Sequence, residues 1–368
     1  MLLPLLHRID ESFSHSSPVE NLSCGRYNQI SYGPFIITGS YFGNERLRRA
    51  VMITDLSLWM QLVLTAFLFY FIMKSSEFIV DAASDIAKRL GVSELLVGLT
   101  VVAFGTSAPE FAVTGMASLK GASGIALGNV VGSNIFNVGI ILALVAIVSP
   151  IQISKELFFR DSIFLLLSSV LLTFFCVTDA TVSQVEGAIF LFLLLFYLFI
   201  LFKKSRADRR SQSLRWTSAD FVNAGMAKAL GKLIIGLLLL LLSSRVIVDI
   251  AIDIARDFNV SEWLIGTTLI AAGTSLPELA TAIMSLVKKR ADIGIGNIVG
   301  SEIFNVFGVI GLAALVSPVE QITELTPIYL LLTMTFALKI FMRTGWQISR
   351  TEGVLLMLFA FFRWGITF

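Results

Sequence analysis

The sequence predicts an all-α membrane protein of ten transmembrane helices, arranged as two inverted five-helix repeats. Three observations carry that expectation. Hydrophobic residues make up 56% of the 368 and charged ones only 15%, with a mean hydropathy of +0.83. A soluble domain cannot hide that much apolar surface, so lipid must be the solvent. Apolar segments of spanning length, each needing ~20 residues, recur along the chain. Finally, one passage occurs twice, 168 residues apart: Gly105-Thr106-Ser107-Ala108-Pro109-Glu110 and Gly273-Thr274-Ser275-Leu276-Pro277-Glu278.

In order, the apolar segments fall at 57–76, 94–119, 124–148, 157–178 and 184–203, then at 228–248, 262–287, 293–316, 326–343 and 350–367. A polar stretch from Lys203 to Arg215 separates the two sets. The expected division is an N-terminal extension at 1–56, a first repeat at 57–203, a linker at 204–222 and a second repeat at 223–368. Basic residues in short loops favour the cytoplasm, which places the linker inside. The loops bearing Lys88/Arg89, Lys155/Arg160, Lys288-Lys289-Arg290 and Arg343/Arg350 follow it there. The turns at 178–183 and 317–324 carry no Lys or Arg; Lys120 and Arg256 are exceptions on the outer side. Both ends of the ten-helix unit are therefore expected outside. Five spans per half is an odd number, so the second half must enter the membrane in the opposite direction.

Residues 1–50 fit this picture poorly, being polar and ending in Arg46, Arg48 and Arg49. Translation is expected to start at Met52, the alternative being a disordered extension. Cys24 and Cys176 are too few for a disulfide framework. Cys176 reads as a lipid- or helix-facing thiol. Both histidines precede residue 16, so no His cluster is available for a transition metal, and the net charge of +2 says nothing of nucleic acid.

The offset of 168 holds without a gap from Ser75-Ser76/Ser243-Ser244 to Ser149-Pro150/Ser317-Pro318, about seventy-six positions in constant register. It relates Asp81/Asp249, Asp85/Asp253, Gly128-Asn129/Gly296-Asn297, Gly132-Ser133/Gly300-Ser301 and Ile135-Phe136-Asn137/Ile303-Phe304-Asn305. A chance match of that length is untenable. In each box a proline without an N–H and a bend-permitting glycine predict a helix break at Gly105/Pro109 and at Gly273/Pro277, freeing carbonyls around Ala103–Gly105 and Ala271–Gly273. If helical spacing survives the break, Thr106 and Ser107 fall on the side of Glu110, and Thr274 and Ser275 on that of Glu278. A charge at membrane depth must be neutralised by a partner, a proton or a passing ion. Carboxylate, hydroxyls and carbonyls form an all-oxygen set, which suits hard cations such as Ca²⁺ and Na⁺. Repeats with matching sites at mid-membrane point to a transporter.

Plainer roles exist for several of these residues. The glycines suit close helix packing, Ser and Thr commonly bond back to the preceding turn, and Asn129 and Asn297 suit interhelical bonds. Asp81/Asp85 and Asp249/Asp253 look salt-bridged, with Lys88, Arg89 or Arg256, rather than central. Glu302 breaks the symmetry, standing where the first copy has Asn134; pairing with a basic group, an outer cation site and a tuning role all remain open.

The paired motifs, Gly-Thr-Ser-x-Pro-Glu followed by Gly-Asn-x-x-Gly-Ser-x-Ile-Phe-Asn, resemble those of the sodium/calcium exchanger family within the cation/Ca²⁺ antiporter superfamily. The resemblance covers about residues 55–368 and looks like a prokaryotic minimal exchanger, since the linker is too short for a large regulatory domain. It implies four cation sites at mid-membrane. By matched position, Glu110 and Glu278 would be the central Ca²⁺ ligands, shared with Na⁺. Thr106, Thr274, Ala103 and Ala271 would offer backbone carbonyls, and Ser107, Ser275, Ser133 and Ser301 side-chain oxygens. Asn137 and Asn305 would line the centre, and the first and sixth helices would slide to alternate access. Some relatives, including potassium-dependent ones, carry Asp where this chain has Asn305, which disfavours K⁺ co-transport here.

The expected activity is Na⁺/Ca²⁺ antiport in a plasma (inner) membrane by a protein working as a monomer, with no cofactor. Two carboxylates are balanced by one Ca²⁺ or two Na⁺; a third Na⁺ would move one net charge per cycle. Burial in a low-dielectric medium favours protonated carboxyls in general, so Ca²⁺/H⁺ exchange through the same residues is the alternative. An intramembrane enzyme is disfavoured, because no His lies within the spans.

Overall fold

The computed structural model describes residues 56–211, 219–258, 260, 271–320, 322 and 325–367. The expected start at Met52 lies outside the described residues, as do 212–218 of the linker and 261–270 of the seventh apolar segment.

The first helix, α1 (Leu58–Leu90), runs well past its apolar window and stops at Gly91, whose left-handed φ of 61° caps its last carbonyls. Ser93 then opens the next helix by accepting the Leu96 N–H at 3.2 Å. That helix, α2 (Glu94–Thr106), is followed by α3 (Ala108–Leu119), and the two are bent by 46°. The break falls at Ser107 (φ −76°, ψ 5°), with Pro109 in the first turn of α3. Next come α4 (Ser123–Val148), α5 (Leu157–Thr178), α6 (Gln184–Ser211) and α7 (Ala219–Asp257). Past the undescribed residues, α8 (Ala271–Thr274) meets α9 (Leu276–Val287) at Ser275, whose φ of −89° and ψ of 6° repeat the geometry of Ser107. The chain closes with α10 (Ala291–Val316), α11 (Thr326–Arg343) and α12 (Arg350–Thr367). Capping boxes start two of these elements: Glu186 accepts from the Ser183 N–H and Glu352 from the Ser349 N–H, each at 2.7 Å.

Among the described residues, seven helices are long and apolar enough to cross a membrane, or up to eight if the bent pair α2/α3 is one span. Of the ten expected segments, 262–287 is represented by the twelve-residue α9, its first part being undescribed. The segment 350–367 does form α12, which falls outside the seven; its eighteen residues include Arg350, Glu352 and Arg363.

Two short contacts record how the halves are oriented. Ile151 and Gln152 (β1) pair antiparallel with Ile348 and Gln347 (β2), beside the start of α5. Val319, the counterpart of Ile151 at the 168-residue offset, instead bridges Val182, just past the other end of α5. Loops that match in sequence thus lie at opposite ends of one helix.

The long helices α1 and α7 pack along each other, and Gly236 lets the backbone of α7 approach Ser75 of α1. Closer in, α10 lies against α2 through glycines. A Cβ on Gly296 would stand 2.7 Å from the Leu95 carbonyl oxygen, and one on Gly300 2.7 Å from that of Leu99. This is the close approach that the small-residue spacing predicts. Three lengths of helix next to these contacts are π-wound, Gly98–Val102 in α2, Asn137–Leu142 in α4 and Phe304–Ile310 in α10. Such π turns often mark functional sites, and hydropathy carries no trace of them.

Candidate cation site

Glu110 and Glu278 each fall in the first turn after a break, and both are fully buried. Around them lie buried Thr106, Ser107, Ser133, Asn137, Ser275, Ser301 and Asn305, with Thr274 nearly so. Ala103 is buried on α2, and Ala271 opens α8. Hydroxyls of both halves lie at the two carboxylates, Asn137 lies toward Glu302 and Asn305 toward Asn134, and the Ser275 hydroxyl has no hydrogen-bond partner among the described residues.

Which hydroxyl faces which carboxylate differs from expectation. Ser107 donates toward Oε1 of Glu278 at 3.5 Å, and Ser301 toward the same oxygen at 3.3 Å. Thr106 also faces Glu278, whereas Ser133 and Thr274 face Glu110. Thr106 and Ser107 in the first half, and Thr274 in the second, therefore serve the glutamate of the other half. The cause is the break itself: helical spacing does not survive the bend at Ser107, and the pair turns across the interface. Ser133 and Thr274 are 3.1 Å apart, and Thr106 and Ser301 3.5 Å, so matching contacts link α4 to α8 and α2 to α10. Neither oxygen of Glu110 nor Oε2 of Glu278 has a hydrogen-bond partner among the described residues. Among the described residues, no Lys or Arg is fully buried. Uncompensated buried carboxylates are costly, which is the arrangement a cation would complete.

Other expectations need correction. The Ala103 carbonyl is not left free by Pro109: it accepts the Ser107 N–H at 3.0 Å and the Thr106 hydroxyl at 3.4 Å. Gly105 and Gly273 lie in helix just before the breaks, and their missing Cβ atoms make room for Leu237 and Val248 of α7. Asn129 donates to Thr114 at 3.0 Å, and Asn297 accepts from Thr106 at 2.9 Å, so both act as interhelical links. Asp81 pairs with Lys232 at 3.1 Å and Lys288 at 3.3 Å, rather than with Lys88 or Arg89. Asp253 does pair with Arg256, at 3.9 Å. Cys176 is buried against neighbouring helices.

Glu302 is fully buried, and the neighbour that faces it is Asn137 rather than a basic group. Asn134 was not expected at the site. It accepts from Asn305 at 2.9 Å and donates to the Glu302 carbonyl at 3.2 Å. Its position opposite Glu302 in the repeat was the available signal. Among the described residues, no three His, Cys, Asp or Glu side chains converge as a metal cluster.

Apolar helices, two helix breaks and a pair of buried glutamates surrounded by hydroxyls define a membrane transporter of hard cations rather than an enzyme. Residues 60–203 and 228–367 match the family model described as sodium/calcium exchanger protein, and the chain belongs to that family. It is similar to the sodium/calcium exchanger MaX1 of Methanosarcina acetivorans, at 34% identity over 327 residues, covering 78% of this chain and 93% of that protein. It is also similar to the inner membrane protein YrbG of Escherichia coli K12, at 36% identity over 239 residues, covering 64% of this chain and 73% of that one. Among solved structures, it matches the sodium-calcium exchanger NCX_Mj soaked with 2.5 mM Na⁺ and 1 mM Sr²⁺, with a TM-score of 0.73 and 28% identity. That match covers 84% of this chain and 99% of the solved one. The protein is thus an integral, multi-pass cation/Ca²⁺ antiporter. In this family Ca²⁺ and Na⁺ are transported substrates, not resident cofactors.

Proposed function

We propose that the protein exchanges Na⁺ for Ca²⁺ by alternating access and that it is electrogenic, extruding Ca²⁺ from an energised cell. The observation that carries this reading is the crossed arrangement in which each half lends hydroxyls to the other half's unneutralised glutamate. Glu110 and Glu278 are the Ca²⁺ ligands. Ser133 and Thr274 complete one side, Ser301, Thr106 and Ser107 the other, with Ser275, Asn137, Asn305 and the carbonyls of Ala103 and Ala271 around them. One Ca²⁺ balances two carboxylates, and so do two Na⁺. Empty, the pair carries two bare charges and should not cross the dielectric barrier, which couples the two ion flows. A third Na⁺ adds one net charge, driven by ~2.3 kcal/mol per 100 mV.

The architecture we infer is ten helices in two inverted repeats, 57–203 and 223–368, joined by a cytoplasmic linker at 204–222. The opposite placement of the Ile151 and Val319 loops supports inversion. The α1/α7 pair is the element that slides, both ends of the unit face outward, the membrane is a plasma membrane, and the unit works as a monomer.

The test is ⁴⁵Ca²⁺ uptake into proteoliposomes loaded with Na⁺, against K⁺-loaded and pH-gradient controls. Uptake should need the Na⁺ gradient and vanish in Glu110→Gln and Glu278→Gln. Uptake that follows the pH gradient instead would establish Ca²⁺/H⁺ exchange. Uptake indifferent to both substitutions would refute the assignment of the site.

A further inference from the structure

We propose that Glu302, with Asn137 shared from the edge of the main site, forms an adjoining subsite for a hard monovalent cation, filled while Ca²⁺ occupies the Glu110–Glu278 pair. The proposal rests on the reading of that pair given above. Glu302 is wholly inaccessible, and neither of its carboxylate oxygens has a hydrogen-bond partner among the described residues. Asn137 faces it, and neither the amide oxygen nor the nitrogen of Asn137 has a hydrogen-bond partner among the described residues. The 168-residue offset relates this pair to Asn305 and Asn134, which do close their contact, at 2.9 Å. One half thus completes a junction between α4 and α10 that the other leaves open, with a carboxylate in place of an amide.

The charge count then matters. With all three buried glutamates ionised the charge is minus three, of which one Ca²⁺ supplies plus two. No Lys or Arg among the described residues stands with the buried polar groups to supply the remainder. Among the described residues the three carboxylates do not form one metal-binding group, so Glu302 is not placed as a third ligand of an ion held between Glu110 and Glu278. A carboxylate and an amide oxygen are hard ligands, suited to an alkali cation. Asn134 holds the site in place by donating to the Glu302 carbonyl at 3.2 Å. The Asn305 amide oxygen, three residues on, is open as a further ligand.

The test is ⁴⁵Ca²⁺/Ca²⁺ exchange in proteoliposomes with equal Ca²⁺ on both sides and identical Na⁺, K⁺ or choline salts across the membrane. In the unmodified protein, exchange should run in Na⁺ or K⁺ and fall by roughly tenfold or more in choline, which cannot compensate the buried charge. Comparing the Na⁺ and K⁺ arms shows which ion the subsite takes. Glu302→Gln removes the charge, so its exchange should run at one rate in all three salts. Glu302→Asp keeps the charge and should keep the requirement. Equal exchange in choline by the unmodified protein would overturn the proposal, because a proton then suffices. A cation requirement that persists in Glu302→Gln would overturn it too. Glu278→Gln separates the two readings: if it exchanges Ca²⁺ normally, the main site is wrongly assigned whatever Glu302 does.

Discussion

The two halves of the chain are alike at the centre and unlike at the edge. Around the glutamates much of the first half recurs in the second, including the buried carboxylate after each break and the backbone angles of Ser107 and Ser275. Farther out the match fails. Glu77 of α1 accepts from Lys288 at 2.7 Å, joining α1 to the end of α9, and Arg290 reaches Glu94 at 2.7 Å. At the offset positions stand Arg245 for Glu77, Lys120 for Lys288 and Ala122 for Arg290. Where one end has opposite charges, its counterpart has like ones. Arg245 turns instead to Asp249 on its own helix, at 3.7 Å. A duplicated transporter needs equal ligand sets in its two halves, but it has no need for equally stable inward and outward states. The symmetric centre would fix what binds, and the asymmetric rim would fix which face rests open.

The largest effect comes from breaking the symmetric part. Glu110→Gln and Glu278→Gln should each reduce Na⁺-driven Ca²⁺ uptake to background, because a single remaining carboxylate cannot balance a divalent ion in a low-dielectric site. If the halves are truly equivalent there, the two losses should be equal; a residual rate in one alone would show that the centre is asymmetric as well. Next is Gly300→Val, which places atoms against the Leu99 backbone, 2.7 Å from where its Cβ would sit. Overpacking of this kind costs about 1–3 kcal/mol, and a lowered thermal midpoint in detergent is the measurement that checks it.

The crossed hydroxyls offer a finer test. Ser107→Ala and Glu278→Gln touch the same contact across the halves, so their effects on Na⁺ affinity should be non-additive by about 1 kcal/mol. Ser107→Ala with Glu110→Gln should be closer to additive. A stronger coupling between Ser107 and Glu110 would restore the same-side arrangement that spacing alone suggests.

That same-side expectation shows where the sequence stopped being readable. Duplication, the all-helical class, the breaks and the two glutamates that follow them were legible from register, hydropathy and proline chemistry. The direction of Thr106 and Ser107 depends on a 46° bend, and the angle of a bend is set by what packs on either side of it. The π turns at Asn137 and Phe304 were equally hidden, since a single extra residue in a helical turn leaves apolar periodicity almost unchanged. The partners of Asp81 were misjudged for a related reason. Lys88 and Arg89 are near in sequence, but Lys232 and Lys288 are brought in by other helices.

The smallest expected effect concerns the rim, and it is the one that bears on direction. Glu77, Asp81 and Lys288 are about one-third exposed or less, so each ion pair is worth only about 0.5–1 kcal/mol. That is enough to shift a two-state balance by roughly two- to fivefold. If α1 slides, its tether to Lys288 favours the state in which that end is closed. Lys288→Ala should therefore raise the share of molecules open at the Lys288 end, read as faster labelling of a cysteine introduced there, while leaving the ion stoichiometry untouched. Arg245→Glu, the counterpart substitution at the other end, should act in the opposite sense. Two substitutions that moved labelling the same way, or left it unchanged, would mean that the difference between the ends is inherited drift and that the bias between states lies in the packing of α1 and α7.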